Sequence, residues 1–157
     1  VPIQVAVCGP RHCTEQDAAN AREIGRLLAE AGVVVLNGGG IGVMAAVSAG
    51  AHAAGGTVIG IRPGATRHDA NPDLDVVLAT NMGEARNAIL VWSADVVIVV
   101  GGSWGTLSEL ALARRRDVPV ISIGGWQLLD AAGRPVADAP PTAATPQDAV
   151  SFALSHA

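Results

Sequence analysis

The 157-residue chain predicts an α/β fold: a doubly wound, mostly parallel sheet with helices on both faces. Three observations predict it. Runs rich in valine and isoleucine recur at 3–7, 33–37, 57–61, 75–80, 95–100 and 119–123. They are continuous rather than alternating, which marks strands buried on both faces. The stretches 14–31, 41–54, 82–94 and 106–117 lie between them and are long enough for crossover helices joining parallel neighbours. Half of the residues are apolar, which suits one core, and we expect a single domain over 1–157.

Taken in order, the helix starts are legible. Thr14 precedes Asp17 by three residues, and Thr106 precedes Glu109 by the same step. Both spacings suit an N-cap, and Thr106 with Glu109 reads as a capping box. Thr145-Pro146 places a cap and a first-turn proline before a last helix. The segment 131–144, rich in proline and alanine, reads as an irregular surface connection. Small residues dominate 44–56, a composition that suits close helix packing either within the domain or between copies.

Composition narrows the chemistry. All ten basic residues are arginines and the formal net charge is −4. Without lysine there is no P-loop lysine, no pyridoxal Schiff base and no lysine nucleophile. Tyrosine is absent and phenylalanine occurs once, so a stacking ladder for single-stranded bases is missing and nucleic acid is disfavoured as a partner. The arginines of "ARRRD" (113–117) fit the last turn of a helix, where positive charge complements the dipole. Cys8 and Cys13, separated by four residues, match neither redox nor zinc spacing and read as structural or incidental. The histidines are scattered, so we expect no metal and no resident cofactor. No basic segment with a signal core opens the sequence and no apolar span reaches membrane length, from which we expect a cytoplasmic protein.

Two segments echo each other. "VVVLNGGGIGVM" and "VVIVVGGSWGTL" each run from a buried strand through glycines into a helix. In a parallel sheet both turns reach the carboxyl edge, where open α/β proteins bind ligands. Glycine lets backbone approach a ligand, and the following helix start offers unpaired N–H groups, a combination suited to phosphate. Gly39, Gly40, Gly42 and Met44 in the first turn, and Gly102, Ser103, Gly105 and Thr106 in the second, are the candidate phosphate and nucleotide ligands. A tight connection alone would also account for either turn. "GIGVMA" (40–45) satisfies G-x-G-x-x-A, with Arg62 or Arg67 available to a 2′-phosphate. It follows the second strand rather than the first, which counts against a dinucleotide.

Glu109 carries two readings. It is either the far member of the capping box or a carboxylate that faces the sugar of a bound nucleotide, stabilising an oxocarbenium ion or activating water. Arg86 is its natural companion, able to bind phosphate or ribose through its fork of donors and to hold Glu109 ionised. An exposed, solvated helix arginine is the plainer alternative.

The segments "NGGGIGVM" (37–44), "TNMGEARN" (80–87) and "GGSWGTLSE" (101–109) together resemble the Rossmann-like superfamily of the Lonely Guy phosphoribohydrolases, also labelled lysine decarboxylase-like. That superfamily also holds the molybdenum-cofactor carrier proteins and, more distantly, DNA-processing protein A. The resemblance runs from about residue 3 to 125. It implies a Rossmann-like fold, a homo-oligomer and a small-molecule nucleotide or nucleotide-like partner. Against the phosphoribohydrolase pattern P-G-G-x-G-T-x-x-E, it makes Gly102, Gly105 and Thr106 phosphate ligands, Glu109 the catalytic carboxylate and Arg86 the pattern's arginine. Gly101 stands where the pattern has proline, Ser103 where it has glycine and Asn87 where it has lysine, while Met82 lies one residue further from Arg86 than M-x-x-R expects. Asn87 still offers hydrogen bonds to a ligand.

These departures resemble the short carrier-like subgroup, in which binding proceeds without established catalysis. The expected function is therefore binding of a nucleoside 5′-monophosphate or related phosphate-bearing ligand at the two glycine turns, with hydrolysis of the N-glycosidic bond if Arg86 and Glu109 are catalytic. The alternative is a non-catalytic carrier or sensor for molybdenum cofactor or another nucleotide-like ligand. Whether the protein is an enzyme stays open at this stage.

Overall fold

A computed structural model describes all residues, 1–157. Six strands form one sheet: β1 (Gln4–Cys8), β2 (Val34–Asn37), β3 (Val58–Arg62), β4 (Val76–Ala79), β5 (Val96–Val100) and β6 (Val120–Ile123). Their spatial order is β4-β3-β2-β1-β5-β6 and every neighbouring pair is parallel. The chain thus builds outward from β1 to β4, then crosses back to lay β5 on the other side of β1. This is a Rossmann-like doubly wound sheet, and its reversal point lies between β1 and β5.

Period-two burial sorts the strand side chains onto two dry faces. On one, Val5, Val7, Val35, Ile98 and Ile121 join the buried residues of α1 (Glu15–Glu30), α2 (Val43–Ala53) and α5 (Pro146–His156). On the other, Ala6, Cys8, Leu36, Ile61, Val97 and Val99 pack against α3 (Arg86–Trp92) and α4 (Trp104–Arg115). The run at 75–80 departs from the expectation of burial on both faces. Val76 and Leu78 of β4 are exposed, because this strand closes the sheet on one side and no helix covers it. At the other edge the irregular connection supplies cover: the Ser122 amide donates to the Pro141 carbonyl and the Ala143 amide donates to that of Ser122.

Thr14 and Thr145 cap their helices as expected, accepting from the Asp17 and Asp148 amides. The stretch 82–94 resolves into a 3₁₀ turn (Gly83–Ala85) and the seven-residue α3, so Arg86 stands at a helix start rather than inside one. Arg114 and Arg115 occupy the last turn of α4, and Arg116 stacks 3.8 Å over the Trp92 ring. No helix is long and apolar enough to cross a membrane.

The small residues of 44–56 pack α2 against α1. Gly25 faces the Val47 carbonyl, and a Cβ at Gly50 would collide with the backbone of Arg22. Replacing a mid-helix glycine by alanine ordinarily stabilises by about 1 kcal/mol. At Gly50 the sign inverts, because the clash is with backbone that cannot rotate away. Gly50→Ala is expected to destabilise by about 1–3 kcal/mol in urea unfolding.

Candidate functional site

The carboxyl edge of the sheet opens into a cavity of about 360 Å³ over the β1–β5 reversal point. Five segments wall it. The loop after β1 contributes Cys8, Gly9, Pro10, Arg11 and His12, and the turn after β2 contributes Gly38 and, from α2, Met44. Arg62 and Pro63 leave the end of β3, and Arg86 and Asn87 open α3. The fifth is the head of α4, with Ser103, Gly105, Thr106 and Glu109. Both glycine turns therefore meet one crevice. Its volume lies at the low end for ligand pockets and suits a mononucleotide, not a dinucleotide of the kind "GIGVMA" suggested.

Of the sequence candidates, Met44, Arg86, Asn87, Ser103, Gly105, Thr106 and Glu109 line the cavity, while Gly39, Gly40, Gly42 and Gly102 stand behind it. Gly39 and Gly40 serve the turn itself: Asn71 donates its backbone N–H to the Gly39 carbonyl and its side-chain amide to that of Gly40. Gly42 has φ +70°, and a Cβ there would strike the Pro10 and Arg11 carbonyls. The Val43 amide donates to the Pro10 carbonyl, while the Met44 and Ala45 amides that follow it make no hydrogen bond within the chain. Gly102 lies under the Trp126 ring.

The head of α4 has a side-chain cap, which that of α2 lacks. Ser103, not Thr106, is its N-cap, accepting from the Thr106 amide at 3.1 Å, with the two hydroxyls 2.9 Å apart. The capping box expected between Thr106 and Glu109 is thereby replaced. Serine in extended conformation takes the cap one turn earlier, and Glu109 falls in the second turn, beyond reach of that role. The Trp104 and Gly105 amides make no hydrogen bond within the chain. A Cβ at Gly105 would have no neighbour closer than 4.0 Å, so a ligand can approach this backbone.

Arg86 is fixed by backbone. Its Nη1 donates to the Ile61 carbonyl at 2.6 Å and to that of Gly38 at 2.9 Å, tying the ends of β3 and β2 together. Its Nε is buried with no partner. Desolvation lowers its pKa, the Glu109 charge opposes that, and the Arg62 charge adds to it. Asn87 donates to the Ser108 hydroxyl at 3.0 Å, and Ser108 donates to the Gly105 carbonyl at 2.7 Å. One of the two side-chain N–H groups of Asn87 is thus committed to α4.

Glu109 is the one carboxylate on the cavity wall. Part of its surface opens to the cavity, but the surrounding protein desolvates the carboxyl and pushes its pKa up to about 7. The Cys8 thiol and the Arg86 charge pull it back only partly. Cys8, fully buried on the same face of the sheet, has its own pKa raised, first by burial and then by Glu109. Spacing to Cys13 does not mark Cys8 as a site residue. Its place at the last position of β1, on the edge where the chain reverses, is the signal that does. Arg11 and His12, in the same loop, are site residues that no motif singles out. No three histidine, cysteine, aspartate or glutamate side chains gather to hold a metal ion.

Residues 2–149 match the model of the SLOG cluster4 family. The chain belongs to that family. An uncharacterized protein of Archaeoglobus fulgidus is 38% identical over 153 residues, covering 98% of this chain and 95% of that one. A cytokinin riboside 5′-monophosphate phosphoribohydrolase of Mycobacterium tuberculosis is 32% identical over 119 residues, covering 70% of this chain and 64% of that one. Among solved structures, the molybdenum cofactor binding protein of Rippkaea orientalis superposes with a TM-score of 0.88 at 34% identity, over 99% of this chain and 97% of that one. The superfamily named from the three glycine and arginine segments is therefore the right one, and so is the short carrier-like subgroup within it.

Two variants test the reassigned roles at α4. Ser103→Ala removes the cap and is expected to cost about 1 kcal/mol at any pH. Glu109 has a folded pKa of about 7 against an ordinary 4.5, so the fold binds more protons than the unfolded chain between these values. The cost of the charge is absent below that window and complete above it. Glu109→Gln should therefore unfold at higher denaturant than the parent at pH 8, by up to about 3 kcal/mol, with the gain vanishing below pH 4.5.

Proposed function

We propose that the cavity binds a nucleoside 5′-monophosphate or a closely related phosphate-bearing ligand, and that it hydrolyses the base–ribose bond of the former. The observation that carries this reading is the pairing of an open helix head at Ser103–Thr106 with a lone carboxylate, Glu109, one turn further along the same helix. A phosphate at the Trp104 and Gly105 amides, within reach of the Ser103 and Thr106 hydroxyls, places the attached sugar along α4 toward Glu109.

In the proposed step the C1′–N bond breaks as water oxygen bonds to C1′. Glu109, ionised, takes a proton from that water and opposes the positive charge developing on the sugar. The departing base gains its proton from solvent. Arg86 keeps the ends of β2 and β3 in place and favours the ionised form of Glu109. A carboxylate held near neutrality suits this work, since it is ionised at working pH yet basic enough to accept a proton.

One observation favours a second reading, a carrier that holds its ligand unchanged. The molybdenum cofactor binding protein matches this chain over nearly its whole length, whereas the phosphoribohydrolase of Mycobacterium tuberculosis matches over a part. Asn87 in place of the pattern's lysine supports it, because the substitution removes one cation from the crevice. In either case the family resemblance supports a homo-oligomer.

Release of free adenine from AMP, followed by chromatography, separates the two. The hydrolase reading expects release that rises with pH through about 7 and falls by about 10²–10⁴-fold in Glu109→Gln. Tight AMP binding with no release from the wild type would overturn hydrolysis and leave the carrier.

A further inference from the structure

The crevice holds more positive charge than one phosphate monoester requires. The chain as a whole carries −4, yet Arg11, Arg62 and Arg86 line this cavity against a single acid. Arg62 and Arg86 converge: Nη1 of each donates to the Gly38 carbonyl, at 3.4 Å and 2.9 Å. The ion pairs of the chain involve Arg26 and Arg134, and none reaches either of these two. Two guanidinium groups meeting at one carbonyl without a carboxylate is a repulsive arrangement, which a bound anion would relieve. The buried Nε of Arg86 lacks an acceptor that such an anion would supply.

Position separates this pair from the head of α4. Arg62 and the Arg86 contacts lie over the ends of β3 and β2, while α4 follows β5. The guanidinium groups meet at the Gly38 carbonyl, at the end of β2, and from β2 to β5 the sheet advances two strand spacings, about 10 Å at the edge. A single tetrahedral phosphate cannot touch both ends. We propose that Arg62 and Arg86 form a second anion subsite, so that the ligand carries two anionic groups: a phosphate monoester at the head of α4 and a second phosphate or a carboxylate at the β2–β3 end. This rests on the nucleotide-like reading of the crevice and specifies its ligand class. It accounts for what Arg62 does, a residue outside the three segments that carry the family resemblance.

The test is calorimetric titration at fixed ionic strength with AMP, ADP, adenosine 3′,5′-bisphosphate and inorganic pyrophosphate. At least one of the two doubly anionic nucleotides is expected to bind about tenfold tighter than AMP. Arg62→Gln should bring that preference to within about threefold, and Arg62→Lys should retain most of it. Equal affinity for all three nucleotides, or a preference that survives Arg62→Gln, would overturn the second subsite. Pyrophosphate separates this failure from that of the nucleotide reading. Pyrophosphate binding that Arg62→Gln weakens about tenfold, with no nucleotide bound, supports the arginine pair and rejects the nucleotide. Silence toward pyrophosphate and nucleotides alike overturns both.

Discussion

Everything at this site follows from the chain reversing direction across β1. With β2 on one flank and β5 on the other, the segments leaving β1 and β5 diverge to opposite faces, and the helices that follow cannot close the space between them. The central strands are dry on both sides, so their backbone groups pair along the sheet. Only at the carboxyl ends do unpaired groups gather. Most of those are then consumed locally, as Pro10 takes the Val43 amide and Arg86 takes the Gly38 and Ile61 carbonyls. What remains open is narrow and chemically specific: the heads of α2 and α4, one carboxylate and a set of guanidinium groups.

The electrostatics of the crevice run against those of the molecule. An acidic chain concentrates cations at one edge, and the walls that focus their field also strip water from Glu109. Desolvation and attraction to Arg86 oppose each other at that carboxyl, and desolvation prevails. The same burial lowers the proton affinity of Arg86, though a guanidinium has far to go before it loses its charge. The site is thus poised with positive charge fixed and negative charge adjustable.

The six strands were legible because β-branched runs without alternation belong to sheets covered on both faces, and each observed strand falls on its run within a residue. The exposure of β4 was not, since nothing in "DVVLAT" says that no helix will cover it. At α4, the sequence pointed to Thr106 as the cap, and the observed cap is Ser103 because the backbone enters the helix three residues earlier. The cavity-lining residues on helix starts were readable from their motif. Cys8, Arg11 and His12 were not, because they belong to a loop whose role comes from strand order rather than local pattern. The glycines at 39, 40 and 42 lie outside the cavity lining, and the packing around them shows what each does for its own turn.

The hydrogen-bond chain from Asn87 through Ser108 to the Gly105 carbonyl joins the starts of α3 and α4. Arg86 adjoins Asn87 and is itself pinned to two strand ends. The two jaws of the crevice are therefore spliced into one frame, and the gap between them behaves like a set of calipers locked at one opening. Such a frame discriminates by reach. Under the proposed pair of anion subsites, a ligand whose charged ends match the setting is held at both, and one that is too short or too long is held at one.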